Sequence, residues 1–248
     1  MDIFFRLYFL FCLNFIVLIN IEIIMAKINY CIENIFSQAS RQHCISKLKE
    51  IRVPKYNKRG KAPEASAAVL VPLCRYDCVP SLLYTVRSSN LNSHSGQISF
   101  PGGKTDADET PTQTALRETK EEIGLSPDKI DVWGVGQGFP GRDNKILISP
   151  VIGCIQDLKQ EDLIVNHKEV AEVFTVPIDI LCNPENQFHT QFRNGFILPV
   201  FIANQYKIWG LTAYVTHMFL SSALSRDVYK NDWMKKKIEL ANVGIEKL

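Results

Sequence analysis

Residues 99–125, SFPGGKTDADETPTQTALRETKEEIGL, decide how this chain of 248 residues is read. Two adjacent glycines and an acidic run are followed by a segment with the pattern of a helix. Pro111 falls near the first turn of that segment and Gly124 directly follows its last apolar position, and both residues are favoured at those places. The sequence therefore predicts a helix over residues 112–123.

Three glutamates lie on one side of the predicted helix. Glu118, Glu121 and Glu122 are spaced i, i+3 and i+4, so they fall within an arc of about 100°. Such like-charged neighbours destabilise a bare helix by a few tenths of a kcal/mol per pair. One interpretation is a solvated charged face. The other is that the carboxylates bind a hard divalent cation, Mg²⁺ or Mn²⁺.

The surroundings of the glutamates add two further expectations. Arg117 lies four residues before Glu121 and can pair with it. Gly102 and Gly103 allow the backbone to approach a ligand closely, and with the following helix they could place backbone amides near a phosphate. The opposite side of the helix, which should face a sheet, carries Leu116, Thr119 and Ile123.

Apolar runs on both sides of this segment predict a sheet. Residues 65–76 and 80–88 read as two strands of a hairpin with a turn between them, and residues 131–139, 145–155 and 170–181 read as later strands, the last running into a helix start. A strand and an apolar helix over about 210–224 follow. We therefore predict an α/β (α+β) fold in which a mixed β-sheet is sandwiched between α-helices.

The composition excludes some classes of function. A net charge of +2 and a pI near 8.1 give no general reason to expect nucleic-acid binding. The seven cysteines are scattered and form no Cys-x-x-Cys pair, so they predict reduced thiols in a reducing compartment rather than a zinc site.

The chain divides into four predicted regions. Residues 1–25 form a hydrophobic leader with three readings: a superfluous start, a membrane anchor or targeting segment, or a structural part of the fold. Residues 26–62 are predicted to hold an N-terminal helix and a basic linker. Residues 63–230 form the main domain, and residues 231–248 form a C-terminal tail.

The spacing of the central segment resembles the Nudix box, G-x5-E-x7-R-E-U-x-E-E-x-G-U, where U is apolar. Every position of fixed identity matches, and Thr119 at a U position is a mild departure because its methyl group can still pack inward. The resemblance implies the Nudix fold and a metal-dependent hydrolase. The matching residues are Gly103, Glu109, Arg117, Glu118, Glu121, Glu122 and Gly124.

The residues before the box resemble the signature of coenzyme A diphosphatases within the Nudix family. This similarity implies substrate contacts at Arg87, Ser88 and Gly96, together with Gly102 and Gly103. Asn92 stands where the pattern has a second arginine, and a neutral amide cannot hold phosphate as a guanidinium does. Residues 170–181 and 207–219 also resemble that subfamily.

The resemblance implies hydrolysis of the pyrophosphate bond of CoA or acyl-CoAs to 3′,5′-ADP and (acyl-)4′-phosphopantetheine. It implies that Glu118 and Glu122 bind Mg²⁺ or Mn²⁺, and that Glu121 shares the metal or polarises a water. Glu109 is expected to orient the loop or a metal-bound water, and Arg117 to steady the glutamates. Glu121 and Glu172 are both candidates for the general base.

Two alternatives stay open at this point. One is a Nudix enzyme for another nucleoside diphosphate derivative, such as ADP-ribose, NADH or a damaged nucleotide. The other is a non-catalytic CoA-binding module. The expected partner is a small molecule and not a nucleic acid, with a homodimer left open. The resemblance implies an intracellular, peroxisomal or mitochondrial location, with a membrane anchor if residues 1–25 are retained.

Overall fold

The computed structural model describes residues 26, 32–51, 63–89, 96–141, 145–192 and 195–239. The main α-helices are α1 (Gln38–Glu50), α2 (Pro111–Ile123), α3 (Ile178–Cys182) and α4 (Gly210–Ala223). Short 3₁₀ helices occur at Asn34–Phe36, Pro127–Lys129, Gln160–Asp162, Pro184–Asn186 and Asp232–Lys235.

The strands form one large and one small sheet. They are β1 (Ala65–Tyr76), β2 (Val79–Arg87), β3 (Ile98–Ser99), β4 (Gly102–Lys104), β5 (Asp131–Val135), β6 (Phe139–Pro140), β7 (Ile146–Leu158), β8 (Val170–Pro177), β9 (Gln187–Gln191), β10 (Ile197–Ala203) and β11 (Tyr206–Ile208). The large sheet has the order β3-β2-β1-β7-β5, with β8 on β2, β4 on β1 and β6 on β7. Strands β1 and β7 are parallel and the other pairs are antiparallel, so the sheet is mixed as predicted.

The predicted hairpin is confirmed, and its turn shows why the chain reverses there. Asp77 and Cys78 both have positive φ, 48° and 64°, as two-residue hairpin turns require. Along β1, Leu70 packs in the core on the α2 side, whereas Val71 and Leu73 pack in the core on the other side. Because both faces are covered, β1 reads as a continuous apolar run rather than an alternating one.

Helices cover both faces of the large sheet. Helix α2 packs on β1, β4 and β7, while α1 and α4 pack against each other on the opposite face. This arrangement confirms the predicted sandwich. Helix α1 contributes Cys44 and Leu48 to the core at 0% and 2% exposure, so the N-terminal helix packs into the main domain.

The predicted region boundaries stay predictions. Residues 1–25, most of the basic linker and Asn92 lie outside the described residues. From the C-terminal tail, Trp233 is buried and His189 forms a parallel bridge with Lys237, so the start of the tail packs on β9. Within the described ranges, no helix has the length and apolar character needed to cross a membrane.

Candidate active site

Helix α2 starts and stops where its sequence predicts. Thr110 caps its N-terminus through a capping box with Gln113, and Gly124 ends it in the left-handed conformation at φ 72°. A Cβ on Gly124 would lie 2.6 Å from the side chain of Ile164. The amide of Ile164 donates to the last helical residue, Ile123, so the glycine also lets the chain before β8 pack on the end of α2.

Arg117 organises three of the predicted site glutamates. Its Nε and Nη2 donate to the two carboxylate oxygens of Glu109 at 2.8 and 3.0 Å. Its Nη1 donates to Glu118 at 2.9 Å and to Glu121 at 3.2 Å, and Nη2 also donates to the Lys104 carbonyl at 3.0 Å. One guanidinium therefore fixes the acidic loop, the helix and β4 relative to one another.

Glu109 is the carboxylate that Arg117 holds most firmly. The hydrogen bonds from Arg117 lower the pKa of Glu109 to about 2, with smaller contributions from the Thr114 hydroxyl and the Asp106 amide. Glu109 is therefore ionised at neutral pH and its oxygens are engaged by neighbours. This placement suits an orienting role rather than a role in proton transfer.

Glu122 has the opposite environment. It is 3% exposed, accepts a hydrogen bond from the Gly102 amide at 3.3 Å, and lies 3.7 Å from Nη1 of Arg87. Desolvation raises its pKa to about 7, against the lowering effects of the Gly102 amide and Arg87. The nearby cation is therefore too distant to offset the burial of this charge.

Glu118 lies directly beneath the glycine turn. A Cβ on Gly103 would lie 2.4 Å from its carboxyl carbon, so a side chain at this position would displace the carboxylate. Burial raises the pKa of Glu118, and Glu121 and Glu169 raise it further, while Arg117 opposes the shift. Glu121 differs from both neighbours because 54% of its side chain is exposed.

A fifth glutamate, Glu169, joins the site and was not predicted. Its charge contributes to the raised pKa values of both Glu118 and Glu122, and its backbone carbonyl accepts from the Ser88 amide at 2.8 Å. The predicted base Glu172 lies elsewhere. It shares the strand face of Phe174, and the Tyr206 hydroxyl donates to it.

The alternation of β8 accounts for the placement of Glu172. Successive residues of a strand point to opposite faces. Glu172 alternates in register with Phe174 and Val176, which pack in the core away from α2. Val173, by contrast, packs against the core on the α2 side.

The predicted substrate contacts lie around the end of β2. The Arg87 side chain is 28% exposed, and its Nε is buried without a hydrogen-bond partner among the described residues. Gly96 has φ 69° and donates its amide to the Arg87 carbonyl at 3.0 Å, which closes the loop. Ser88 is 4% exposed, so its position suits ordering of the strand end better than contact with substrate.

The described residues contain no three acidic, His or Cys side chains arranged to hold a metal ion. The physical reason is that the glutamates are hydrogen-bonded to different groups. Glu118 and Glu121 accept from Arg117, whereas Glu122 accepts from the Gly102 amide. The donor chemistry nevertheless fits Mg²⁺ or Mn²⁺, which prefer carboxylate oxygens. Two of these carboxylates are desolvated with raised pKa values, so the local cations do not offset their charge.

Surface shape alone would not have located this cluster. An open polar cleft of about 550 Å³ is lined by residues from 128–131 and 154–162 and contains none of the predicted site residues. The chemistry of the side chains, rather than concavity, identifies the site.

Comparison with known proteins agrees with the geometry. The NUDIX domain profile matches residues 65–196. The chain is 46% identical over 169 residues to mitochondrial coenzyme A diphosphatase NUDT8 of Homo sapiens, covering 65% of this chain and 71% of that protein. It is 34% identical over 229 residues to Nudix hydrolase 3 of Caenorhabditis elegans, covering 84% of this chain and 95% of that protein.

A third relative is peroxisomal coenzyme A diphosphatase NUDT7 of Mus musculus. The identity is 40% over 139 residues, covering 54% of this chain and 57% of that protein. The profile spans the glycine turn, the glutamate helix and the loop before β8 in one continuous match. The chain belongs to the Nudix hydrolase family.

Proposed function

We propose that this protein hydrolyses the pyrophosphate bond of CoA and acyl-CoAs, releasing 3′,5′-ADP and (acyl-)4′-phosphopantetheine. The observation that carries the proposal is the meeting of two desolvated glutamates, Glu118 and Glu122, with Arg87 at the glycine turn. The relatives named coenzyme A diphosphatases support the choice of substrate.

The glutamates have separate roles in this proposal. Glu118 and Glu122 would hold the Mg²⁺ or Mn²⁺ ion, with Glu121 as a further ligand from the exposed side of the helix. When bound, such an ion polarises the diphosphate oxygens and lowers the pKa of the attacking water. Arg117 and Glu109 fix the positions of the carboxylates, because their hydrogen bonds connect the loop before α2 to the helix itself.

Arg87 and Glu169 act on the reacting groups. The Nε of Arg87 is buried without a hydrogen-bond partner among the described residues, and it would donate a charge-assisted hydrogen bond to a diphosphate oxygen. Glu169 accepts the proton of the attacking water. The hydroxyl of that water bonds to one phosphorus, the P–O bond to the bridging oxygen breaks, and the second phosphate leaves with that oxygen.

The test is direct. The purified full chain is incubated with CoA and Mg²⁺ or Mn²⁺, and products are identified by mass spectrometry. We expect 3′,5′-ADP and 4′-phosphopantetheine in equal amounts, and Glu169→Gln should lower kcat by about two orders of magnitude. Absence of both products, with binding of CoA retained, would instead identify a non-catalytic CoA-binding module.

A second candidate substrate class rests on one residue. Asn92 replaces an arginine of the coenzyme A diphosphatase pattern, which removes a phosphate-binding cation. A Nudix enzyme for ADP-ribose, NADH or a damaged nucleotide would not need that cation. A substrate panel decides between them: we expect the highest kcat/KM for CoA or an acyl-CoA, and a higher value for ADP-ribose would favour the second class.

The relatives' names also support a mitochondrial or peroxisomal location, and we include this in the proposal. Imaging of the full chain with a C-terminal tag, beside a variant that starts at Met25, tests it. Loss of organelle localisation in the shorter variant would assign targeting to the hydrophobic leader. Homodimer formation and membrane association stay predictions.

A further inference from the structure

Residues 207–219 carry a motif, KIWGLTAYVTHMF, that the proposed reaction does not use. The structure places most of it in α4, on the face of the sheet opposite to the catalytic helix α2. Two of its threonines, Thr212 and Thr216, are one helical turn apart. Both hydroxyl groups hydrogen-bond to residues of the sheet, and those residues lie next to the substrate site.

Thr212 holds the short strand β3. Its hydroxyl donates to the carbonyl of Ile98 at 3.0 Å. Between β2 and β3 the Arg87 amide donates to the Gln97 carbonyl, so Arg87 and Gln97 form a hydrogen-bonded pair. Hydrogen-bonded and non-hydrogen-bonded pairs alternate in an antiparallel ladder. In the next pair, Val86 and Ile98, the N–H and C=O groups therefore point away from the partner strand. Thr212 therefore supplies the donor that β2 cannot supply.

Thr216 holds β2, and the hydrogen bonds fix the direction of donation. The Thr216 hydroxyl donates to the Thr212 carbonyl at 2.9 Å. A hydroxyl has one proton, so in the 3.0 Å contact between Tyr84 and Thr216 the tyrosine donates. Both side chains are fully buried. Tyr84 lies three residues before Arg87 on the same strand.

Tyr84 extends the contact to the glycine turn. Its ring stacks on Phe100 with centroids 4.8 Å apart. Phe100 precedes the turn in which the Gly102 amide donates to Glu122. Helix α4 therefore contacts β3 and β2 directly, and it reaches the glycine turn through Tyr84 and Phe100.

We propose that Thr212 and Thr216 are positioning residues for the substrate site, fixing β3 and the glycine turn against β2 so that Arg87 meets the diphosphate in one geometry. The proposal rests on the proposed function. It differs from a packing role because the affected quantity is the geometry around Arg87, not the stability of the core.

The test compares hydroxyl deletions in one helix. Thr212→Val keeps the shape but removes the donor to Ile98, whereas Thr212→Ser keeps the donor. The matched control is Ser222→Ala, because the Ser222 hydroxyl is buried in the same helix and donates to Met218 within that helix. We expect Thr212→Val to raise KM for CoA about tenfold with kcat within about twofold of wild type.

Thr212→Ser and Ser222→Ala should keep the wild-type KM. Hydrogen exchange gives a second readout: amides in residues 96–103 should exchange faster in Thr212→Val, while those of α2 should not. Tyr84→Phe, which keeps the ring stack and removes the donor to Thr216, should raise KM in the same direction if Thr212→Val does not fold.

Different failures lead to different conclusions. If wild type does not cleave CoA, the proposed function fails. If wild type cleaves CoA and a folded Thr212→Val keeps the wild-type KM and exchange pattern, the positioning role is overturned. An equal rise in KM for Ser222→Ala would also overturn it, because the effect would then follow from helix packing alone.

Discussion

The two faces of the large sheet differ in how their buried polar groups are paired. On the α2 face, Glu118 and Glu122 are desolvated carboxylates with raised pKa values. On the opposite face, the buried hydroxyls of Tyr84 and Thr216 are paired with each other, and the buried Gln187 amide donates to the Leu181 carbonyl. The first face holds carboxylates whose neighbours do not offset the cost of burial, whereas these neutral groups on the second face are hydrogen-bonded.

The difference indicates what each face contributes. Burying the Glu122 carboxylate in its ionised form costs free energy, because Arg87 comes no nearer than 3.7 Å. The α2 face is therefore less stable than it could be, and it offers a site that favours a cation. A paired neutral network costs little and fixes one geometry. The opposite face is therefore expected to act as the rigid support on which the charged site is held.

The largest effect is expected from removing a carboxylate on the α2 face. Glu122→Gln should lower kcat for CoA at least hundredfold, since a carboxylate assigned to the cation is lost. The same change should raise the free energy of unfolding at pH 8 without divalent metal by about 1 to 3 kcal/mol, because the amide has no charge to bury.

Glu161→Gln is the control for that variant, since Glu161 is exposed and outside the site. It should change neither quantity. Steady-state kinetics and urea unfolding measure the two effects. A Glu122→Gln protein that is both less active and less stable would refute the idea that this face sacrifices stability.

The next effect tests the supporting face. Leu48→Ala removes a fully buried side chain of α1 and should lower the free energy of unfolding by about 2 to 4 kcal/mol. Below the melting temperature kcat should stay near the wild-type value, because α1 packs on α4 and β5, on the face of the sheet opposite to α2. Lys47→Ala, an exposed neighbour, should cost less than about 0.5 kcal/mol. Calorimetry measures the stability and steady-state kinetics measures kcat. A loss of kcat without a loss of stability would contradict the view that the α1 and α4 face only supports the site.

The pH dependence of stability tests the same face. Burial lowers the pKa of His217 to about 4, and its Nδ1 lies 2.9 Å from the Tyr229 hydroxyl. The unfolded state binds the proton first on acidification, so this stabilising contribution is complete above about pH 6.5 and is lost as pH falls towards 4. The loss should reach about 2 to 3 kcal/mol.

His217→Gln should flatten that part of the pH dependence. Urea unfolding of both proteins from pH 4 to pH 7 measures the slope, and the difference between them isolates His217 from the glutamates. Parallel curves would show that His217 is not held neutral by the fold.

The smallest effect is expected from adding one methyl group beside a carboxylate of the α2 face. Gly103→Ala would place a Cβ 2.4 Å from the Glu118 carboxyl carbon, so the carboxylate must move. We expect kcat to fall about tenfold with little change in overall fold. Gly134→Ala is the control, because its nearest contact would be 3.5 Å from a flexible isoleucine. Equal rates for Gly103→Ala and wild type would show that Glu118 need not lie beneath the turn.

Local patterns predicted most of the fold. Pro111 and Gly124 delimit a helix from nearby residues alone, and the structure places α2 at Pro111–Ile123 against the predicted 112–123. The hairpin and the mixed sheet follow from apolar runs and turn residues in the same way. The fixed spacing around Glu118 identified the site segment because helical periodicity and a glycine turn are local properties.

The sequence by itself determined the glutamate helix, the glycine turn before it and the chemistry that they favour. Only the tertiary structure decided which carboxylates are desolvated, that Glu169 rather than Glu172 joins them, and that α4 reaches the substrate strand through Thr212 and Thr216. The physical reason is that burial and charge coupling depend on distances between segments far apart in the chain, whereas caps, turns and helical spacing depend on neighbours a few residues away.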